Sequence, residues 1–224
     1  NQNMNPDIFS VDLFEALNSH RDEYIYFKTD HHWTALGAYY AYCKLMNVRG
    51  EEPIPLERYE TVDIQNFLGS AYTKTLDKSL EANPDTIKVY LPFVDYDYTM
   101  YNGTTPSKRE VIDLSYAEKK DKYNVFISSG GGTWSVIKTE VKNGKKLLVI
   151  KDSFGNAIIP FFLPHYEEIY IIDARFYDSS FTKMGVPQFV EHYGIQEVAI
   201  MNYMEDVNWA EFMQKVRNLL NRVE

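Results

Sequence analysis

The sequence predicts an α/β fold built on a parallel sheet flanked by helices, and three observations predict it. Four consecutive aliphatic residues, Leu147, Leu148, Val149 and Ile150, are bounded by lysines, as in short strands buried on both faces of parallel sheets. Asp152, Ser153 and Asn156 follow as cap and turn formers, and the apolar run 157–163 then restarts as a helix, giving a strand, a turn and a helix in succession. Beyond it the chain alternates regularly, with strands expected over 168–172 and 197–201 and helices over 186–193 and 207–223, which implies right-handed crossovers. The chain reads as one domain over 1–224 with a β-rich insertion at 71–140.

Residues 1–6 are polar, and 11–21, with Val11, Phe14 and Leu17 on one side, read as a short helix. Tyr24-Ile25-Tyr26-Phe27 has the composition of a strand and leads into Lys28-Thr29-Asp30-His31-His32-Trp33-Thr34. Thr34 suits the N-cap of a helix from Ala35 to about Met46, so the Asp-His-His-Trp group is expected on an extended segment entering a helix. Pro53, Pro55 and the mixed residues up to Gly69 read as loop with short helical turns. Within 71–140, β-type runs occur at 87–90, 111–114 and 125–127, separated by Asn-Pro, Asn-Gly and Gly-Gly-Gly signals. Asn143-Gly144 marks a turn before the central strand, and Pro160 and Pro164 disturb the helix after it. Gly194 closes the helix at 186–193 as a left-handed C-cap residue, and Phe212, Val216, Leu219 and Leu220 form the apolar stripe of the last helix.

The 224 residues, 45% hydrophobic, suffice for one substantial core. A formal charge of -9 without any basic patch argues against nucleic acid and an anionic membrane surface as partners. No apolar run approaches the roughly 20 residues of a membrane span. The single cysteine, Cys43, lies in an aromatic-rich helical stretch and reads as a packed residue; it does not fix the redox compartment.

In open α/β sheets ligands sit outside the carboxyl ends of the strands, where helix N-termini also point their N–H groups. Ser153, Arg175 and Asn202 follow three successive strands and are therefore expected on one rim. A serine there is a candidate nucleophile, although Ser and Asp in such a turn are also ordinary N-caps. The Asp30-x-His32 spacing supplies a base. In an extended segment residues i and i+2 share a face, about 6.5–7 Å apart, so the Asp30 carboxylate reaches one ring nitrogen of His32 and leaves the other to take a proton. His31 projects to the other side and reads as structural, and Trp33 as packing.

Thr29-Asp30-His31-His32-Trp33-Thr34, taken with Lys151-Asp152-Ser153-Phe154, resembles the DHHW proteins, related to the SGNH-hydrolase-like domains of bacterial alginate O-acetylation proteins. The resemblance covers about residues 24–203. It implies an SGNH-hydrolase-like (flavodoxin-like) parallel sheet with a circularly permuted motif order, in which the Asp-x-His pair precedes the serine. Carried over, it makes Ser153 the nucleophile, His32 the base, Asp30 its orienting carboxylate and Asn202 an oxyanion-hole donor. Lys151 stands where those relatives carry a glycine before Asp-Ser. Arg175 lies in the segment of their oxyanion-hole glycine, where it would meet an oxyanion or an acidic sugar. The resemblance also implies that the first strand of the sheet is missing before Tyr24. The function it implies is that of a serine esterase or O-acetyltransferase on an extracellular or cell-surface bacterial polysaccharide. Such a protein needs neither metal nor organic cofactor, and its signal or anchor segment would lie outside this chain.

Two other readings stand beside that one. Asp-His-His also occurs in metal-dependent phosphoesterases, but Asp7, Asp12 and Asp22 lack the strand context that would make them further ligands. A non-catalytic carbohydrate-binding or scaffold domain would keep the fold without the chemistry. Tyr90, Tyr96, Tyr98, Tyr101 and Trp134 form either a wall that stacks on a glycan or the inward packing of a small sheet.

Overall fold

The computed structural model describes residues 8–127, 133–177 and 182–221. The chain forms two compact units, one from residues 1–91 and 116–123 and the other from 92–115 and 124–224.

In the first unit a short helix, Phe14–Asn18, precedes a narrow turn of chain in which Tyr26 and Trp33 form an isolated antiparallel bridge. The strand expected at Tyr24 to Phe27 is thus reduced to that bridge, and the Asp-His-His group lies at the bent tip between its arms. Thr34 then caps the helix Ala35–Val48, its hydroxyl oxygen accepting the Gly37 N–H at 3.3 Å. Ala35, Ala38, Ala41, Tyr42 and Met46 bury one side of that helix. Strands β1, Thr61–Phe67, and β2, Asp85–Tyr90, pair antiparallel in a separate two-stranded sheet, and between them lie the short helices Ser70–Thr75 and Lys78–Glu81. Strand β1 falls where the sequence reads as loop. Its alternation is broken by a bulge between Ile64 and Phe67, with Asn66 at φ 59°, so the period-2 signal never accumulates.

The second unit holds a six-stranded sheet. Its strands are β3, Tyr96–Asn102; β4, Thr105–Arg109; β5, Trp134–Thr139; β6, Lys146–Lys151; β7, Glu168–Asp173; and β8, Glu197–Met201. Their order is β4-β3-β5-β7-β6-β8. Only β7, β6 and β8 are parallel, and β4, β3, β5 and β7 pair antiparallel. The sheet is therefore mixed, which corrects the expectation of a parallel one. Three of its strands come from the 71–140 stretch, and β3 joins β4 through a tight turn with Gly103 at φ 60°, a connection that only antiparallel strands can make. The runs at 111–114 and 125–127 give a single bridge, Ile112 to Phe126, and the Gly-Gly-Gly signal lies outside the described residues.

Leu148, Ile150, Tyr170 and Ile172 share a core with Val186, Phe189, Phe212, Val216 and Leu219. The helices Val186–Tyr193 and Ala210–Leu219 thereby cover one face of the sheet. Leu147, Val149, Ile169 and Ile171, which alternate with the first set, are also buried, as the unbroken aliphatic runs required. Gly194, at φ 62°, ends the first of these helices. The second is shorter than expected. A 3-10 turn, Met204–Asn208, precedes it, Leu220 is exposed, and Val223 lies outside the described residues.

Of the aromatics expected as a possible wall, Tyr90, Tyr98 and Trp134 are buried, and Tyr101 stacks on Trp134 at 4.2 Å against the core. Their packing is inward.

Candidate active site

The candidate residues lie in two places, the hairpin tip of the first unit and the carboxyl rim of the second unit's parallel strands. At the tip, His32 Nδ1 is 2.5 Å from Asp30 Oδ1, and the His32 backbone N–H donates to the same oxygen at 2.9 Å. The two side chains meet because the backbone turns around the carboxylate, not because the segment is extended. The Ser70 N–H donates to Asp30 Oδ2 at 2.6 Å. Burial alone would raise the Asp30 pKa. The hydrogen bond and charge of His32, with the N–H groups of Ser70 and His32, outweigh it and hold the carboxyl well below the usual carboxylate range. Asp30 is an anion whose lone pairs are already directed, and its contact with Nδ1 orients the His32 ring.

Three residues with no role assigned from the sequence, Gly69, Asp85 and Tyr123, build this tip together with Thr29 of the motif. Gly69 has no side chain where Asp30 packs, and a Cβ there would overlap the Asp30 carboxylate. Thr29 is tied in by the Gly69 N–H to its hydroxyl, and by the Ala71 and Tyr72 N–H groups to its carbonyl. Asp85, buried at the start of β2, accepts from Lys28 N, Thr29 N, Thr29 Oγ1 and the Tyr24 hydroxyl. Tyr123 lies flat on the His32 ring, centroids 3.9 Å apart and planes 9° apart. The Gly69-Ser70 pair before a short helix was a readable start signal, whereas nothing in the sequence connects Asp85 or Tyr123 to Asp30. Trp33 is buried, as a packing residue would be, and His31 is exposed with Nδ1 2.5 Å from Ser70 Oγ.

Asp30, His31 and His32 place one ligand atom each within 4.8 Å of one another. That set does not suit the hard divalent ion of a phosphoesterase. It offers a single carboxylate, and both of its oxygens already accept hydrogen bonds.

On the rim of the second unit, Lys151 is in register with Asp173 on one side and Met201 on the other, so Ser153, Arg175 and Asn202 all leave the same edge of the sheet. Asp152 caps the turn Ser153–Asn156 by accepting the Phe154 N–H at 2.7 Å, and its second oxygen accepts the Tyr203 N–H at 2.5 Å. From Lys151 to Leu163 every residue but Ser153 is buried. The Asn202 side-chain Nδ2 is buried and, among the described residues, has no hydrogen-bond partner. Such a donor is expensive to keep unless something else accepts from it.

Arg175 is positioned differently from an open anion ligand. Its Nε and Nη2 grip Asp173 at 2.9 and 2.7 Å, which raises its pKa further. Lys151, in place of the expected glycine, is fully buried. Burial lowers its pKa against the opposing pull of Asp173, whose nearest oxygen is 3.7 Å away. Its methylenes fill the space beside Gly155, where a Cβ would collide with them. Asp206 completes the cluster, its carboxyl pushed up to about 6 by burial and then by its hydrogen bond with Asp152.

A family model described as DHHW protein matches residues 1–172. The crystal structure of a DHHW family protein from Eubacterium siraeum is 32% identical, covers 96% of this chain and 71% of its own, and superposes with a TM-score of 0.80. Bacillus cereus PatB1, solved with a sulfonyl adduct, is 23% identical over 92% of this chain and 70% of its own, with a TM-score of 0.73, which shows a shared fold. The O-acetyltransferase domain of Pseudomonas putida AlgJ aligns over 95% of this chain and 68% of its own, at 13% identity and a TM-score of 0.38. No curated protein sequence matches the chain.

Proposed function

The chain belongs to the DHHW family, and from that premise we propose that it is an SGNH-like serine esterase or O-acetyltransferase acting on an acetylated extracellular polysaccharide. The observation that carries the reading is the 2.5 Å contact of His32 Nδ1 with the Asp30 carboxylate, the arrangement that prepares an imidazole to act as a general base. Ser153, the unburied residue of an otherwise buried turn at a parallel strand end, supports it as the nucleophile, and the Asn202 Nδ2, without a partner among the described residues, as the oxyanion donor.

Ser153 Oγ attacks the acetyl carbonyl while His32 Nε2 takes its proton, and Asp30 faces the imidazolium that results. Negative charge on the carbonyl oxygen meets the Asn202 amide and the Ser153 N–H. The alcohol leaves with the proton from His32, and an acetyl-Ser153 ester remains. Water gives free acetate in the second half-reaction, and a sugar hydroxyl gives transfer. The extracellular setting and the glycan follow from the family resemblance.

The sulfonyl adduct of the Bacillus cereus protein makes an arylsulfonyl fluoride the natural probe. It is expected to label Ser153, with the label absent in Ser153→Ala. Ser153→Ala, His32→Ala and the double variant are expected to lose acetyl-ester turnover to the same level, because residues acting as one unit are not additive. A label that persists in Ser153→Ala, or losses that add, overturns the assignment. Glycan binding that survives without turnover in the wild type would favour a binding domain.

A further inference from the structure

The His32 ring is fixed in its plane by Asp30, and a second contact fixes its face. Tyr123 stacks on it at 3.9 Å between centroids and 9° between planes. Both rings are buried, His32 at 6% and Tyr123 at 4% exposure. The tyrosine is itself held edge-on by Phe27 at 6.2 Å and 89°, and Phe27 by Phe67 at 5.2 Å and 78°. Tyr123 lies in the 116–123 segment, which returns to the first unit from a stretch otherwise belonging to the second.

We propose that Tyr123 is a positioning residue for the base, its ring face favouring the imidazolium that His32 becomes during acyl transfer; this rests on the reading of His32 as general base. When the Ser153 proton moves to Nε2, the ring gains a full positive charge in a largely buried setting. Asp30 meets that charge at the ring edge through Nδ1. The quadrupole of an aromatic face, negative at its centre, meets it from above the plane. The same flat contact opposes rotation about the bond to the ring, which Asp30 restrains at one atom and the tilted His31 ring meets at 3.9 Å and 40°. A leucine in its place would fill volume but supply neither effect, whereas phenylalanine and tryptophan retain the face.

The experiment compares Tyr123→Leu, Tyr123→Phe and Tyr123→Trp in the full chain, alone and combined with His32→Ala, using an acetyl-ester substrate. Tyr123→Leu is expected to lower kcat about 2- to 30-fold with KM little changed, the range of a cation–π contact. Tyr123→Phe and Tyr123→Trp should remain close to wild type. In the His32→Ala background Tyr123→Leu should have no further effect on residual turnover, although any loss of thermal stability would persist there, since packing does not depend on the base. A Tyr123→Leu protein that is folded and keeps wild-type kcat overturns the inference. So does a loss of the same size in both backgrounds. Wild-type turnover in Ser153→Ala and His32→Ala would instead remove the premise, an outcome separable from either.

Discussion

Replacement of Gly69 by alanine tests the architecture of the hairpin tip most directly. At φ -89° the backbone of residue 69 accepts an L side chain, so the penalty is steric and not conformational. A Cβ would overlap Cβ, Cγ and Oδ2 of Asp30, a short side chain held at both oxygens. To escape, Asp30 must leave its rotamer, at about 0.5–1.5 kcal/mol, and give up the charge-assisted bond from the Ser70 N–H, at about 1.5–3 kcal/mol. The sum is about 2–4.5 kcal/mol of stability. Turnover should fall by about 10²-fold, as for a displacement on the order of 1 Å in a reacting group. Urea unfolding at unchanged m-value and an acetyl-ester assay measure the two effects. Gly50→Ala is the control, because a Cβ there meets nothing within 4 Å but stands at φ 71°. It should cost about 1–2 kcal/mol and leave turnover intact. Equal stability and equal turnover for the two variants would refute the account of Asp30.

Two further outcomes follow from the rim. Asn202→Ala should lower kcat by about 10²–10³-fold with KM nearly constant, the signature of a donor used on the oxyanion; a change confined to KM would make it a substrate-binding residue. The Asp206 carboxyl is raised from 3.8 to about 6, so its contribution to stability is fully present below 3.8 and is lost as pH rises through about 6. Asp206→Asn should therefore gain stability relative to wild type above that window, by less than about 1 kcal/mol because the group is partly open to solvent. Unfolding midpoints that shift equally at pH 4 and pH 8 would contradict the pairing with Asp152.

What the sequence disclosed depended on how far apart the interacting residues stand. The strand Lys146–Lys151, the Thr34 cap and the Gly194 stop are written in consecutive residues and were legible. So was the Asp30–His32 contact, two positions apart, though for the wrong backbone reason: the Thr34 N–H bonds Ile25 O and the Phe27 N–H bonds His32 O, so the segment doubles back. Strand β1 was hidden by its bulge. Arg175 could be placed at a strand end, but its capture by Asp173 belongs to the local turn, where Asp and Arg two residues apart close on each other. Asp85 and Tyr123 were beyond reach because their partners lie many residues away and their types, an acid at a strand start and one tyrosine among 18, carry no mark of the role.

The strand order has a consequence for how the chain is made. Strand β7 is the hinge of the six-stranded sheet, antiparallel to β5 on one side and parallel to β6 on the other. As the chain leaves the ribosome, β3, β4 and β5 can zip together early, but β5 then offers a bare edge, and β6 emerges before either of its partners, β7 and β8. Neither is satisfied until Glu168–Asp173 appears. At about 5–20 residues per second this interval lasts on the order of seconds, during which Val136, Ile137 and the run Leu147, Leu148, Val149 and Ile150 are exposed to one another and to neighbouring chains. A nascent chain stalled just short of residue 168 should therefore be the species most dependent on chaperones, and arrest beyond β7 should relieve that dependence abruptly.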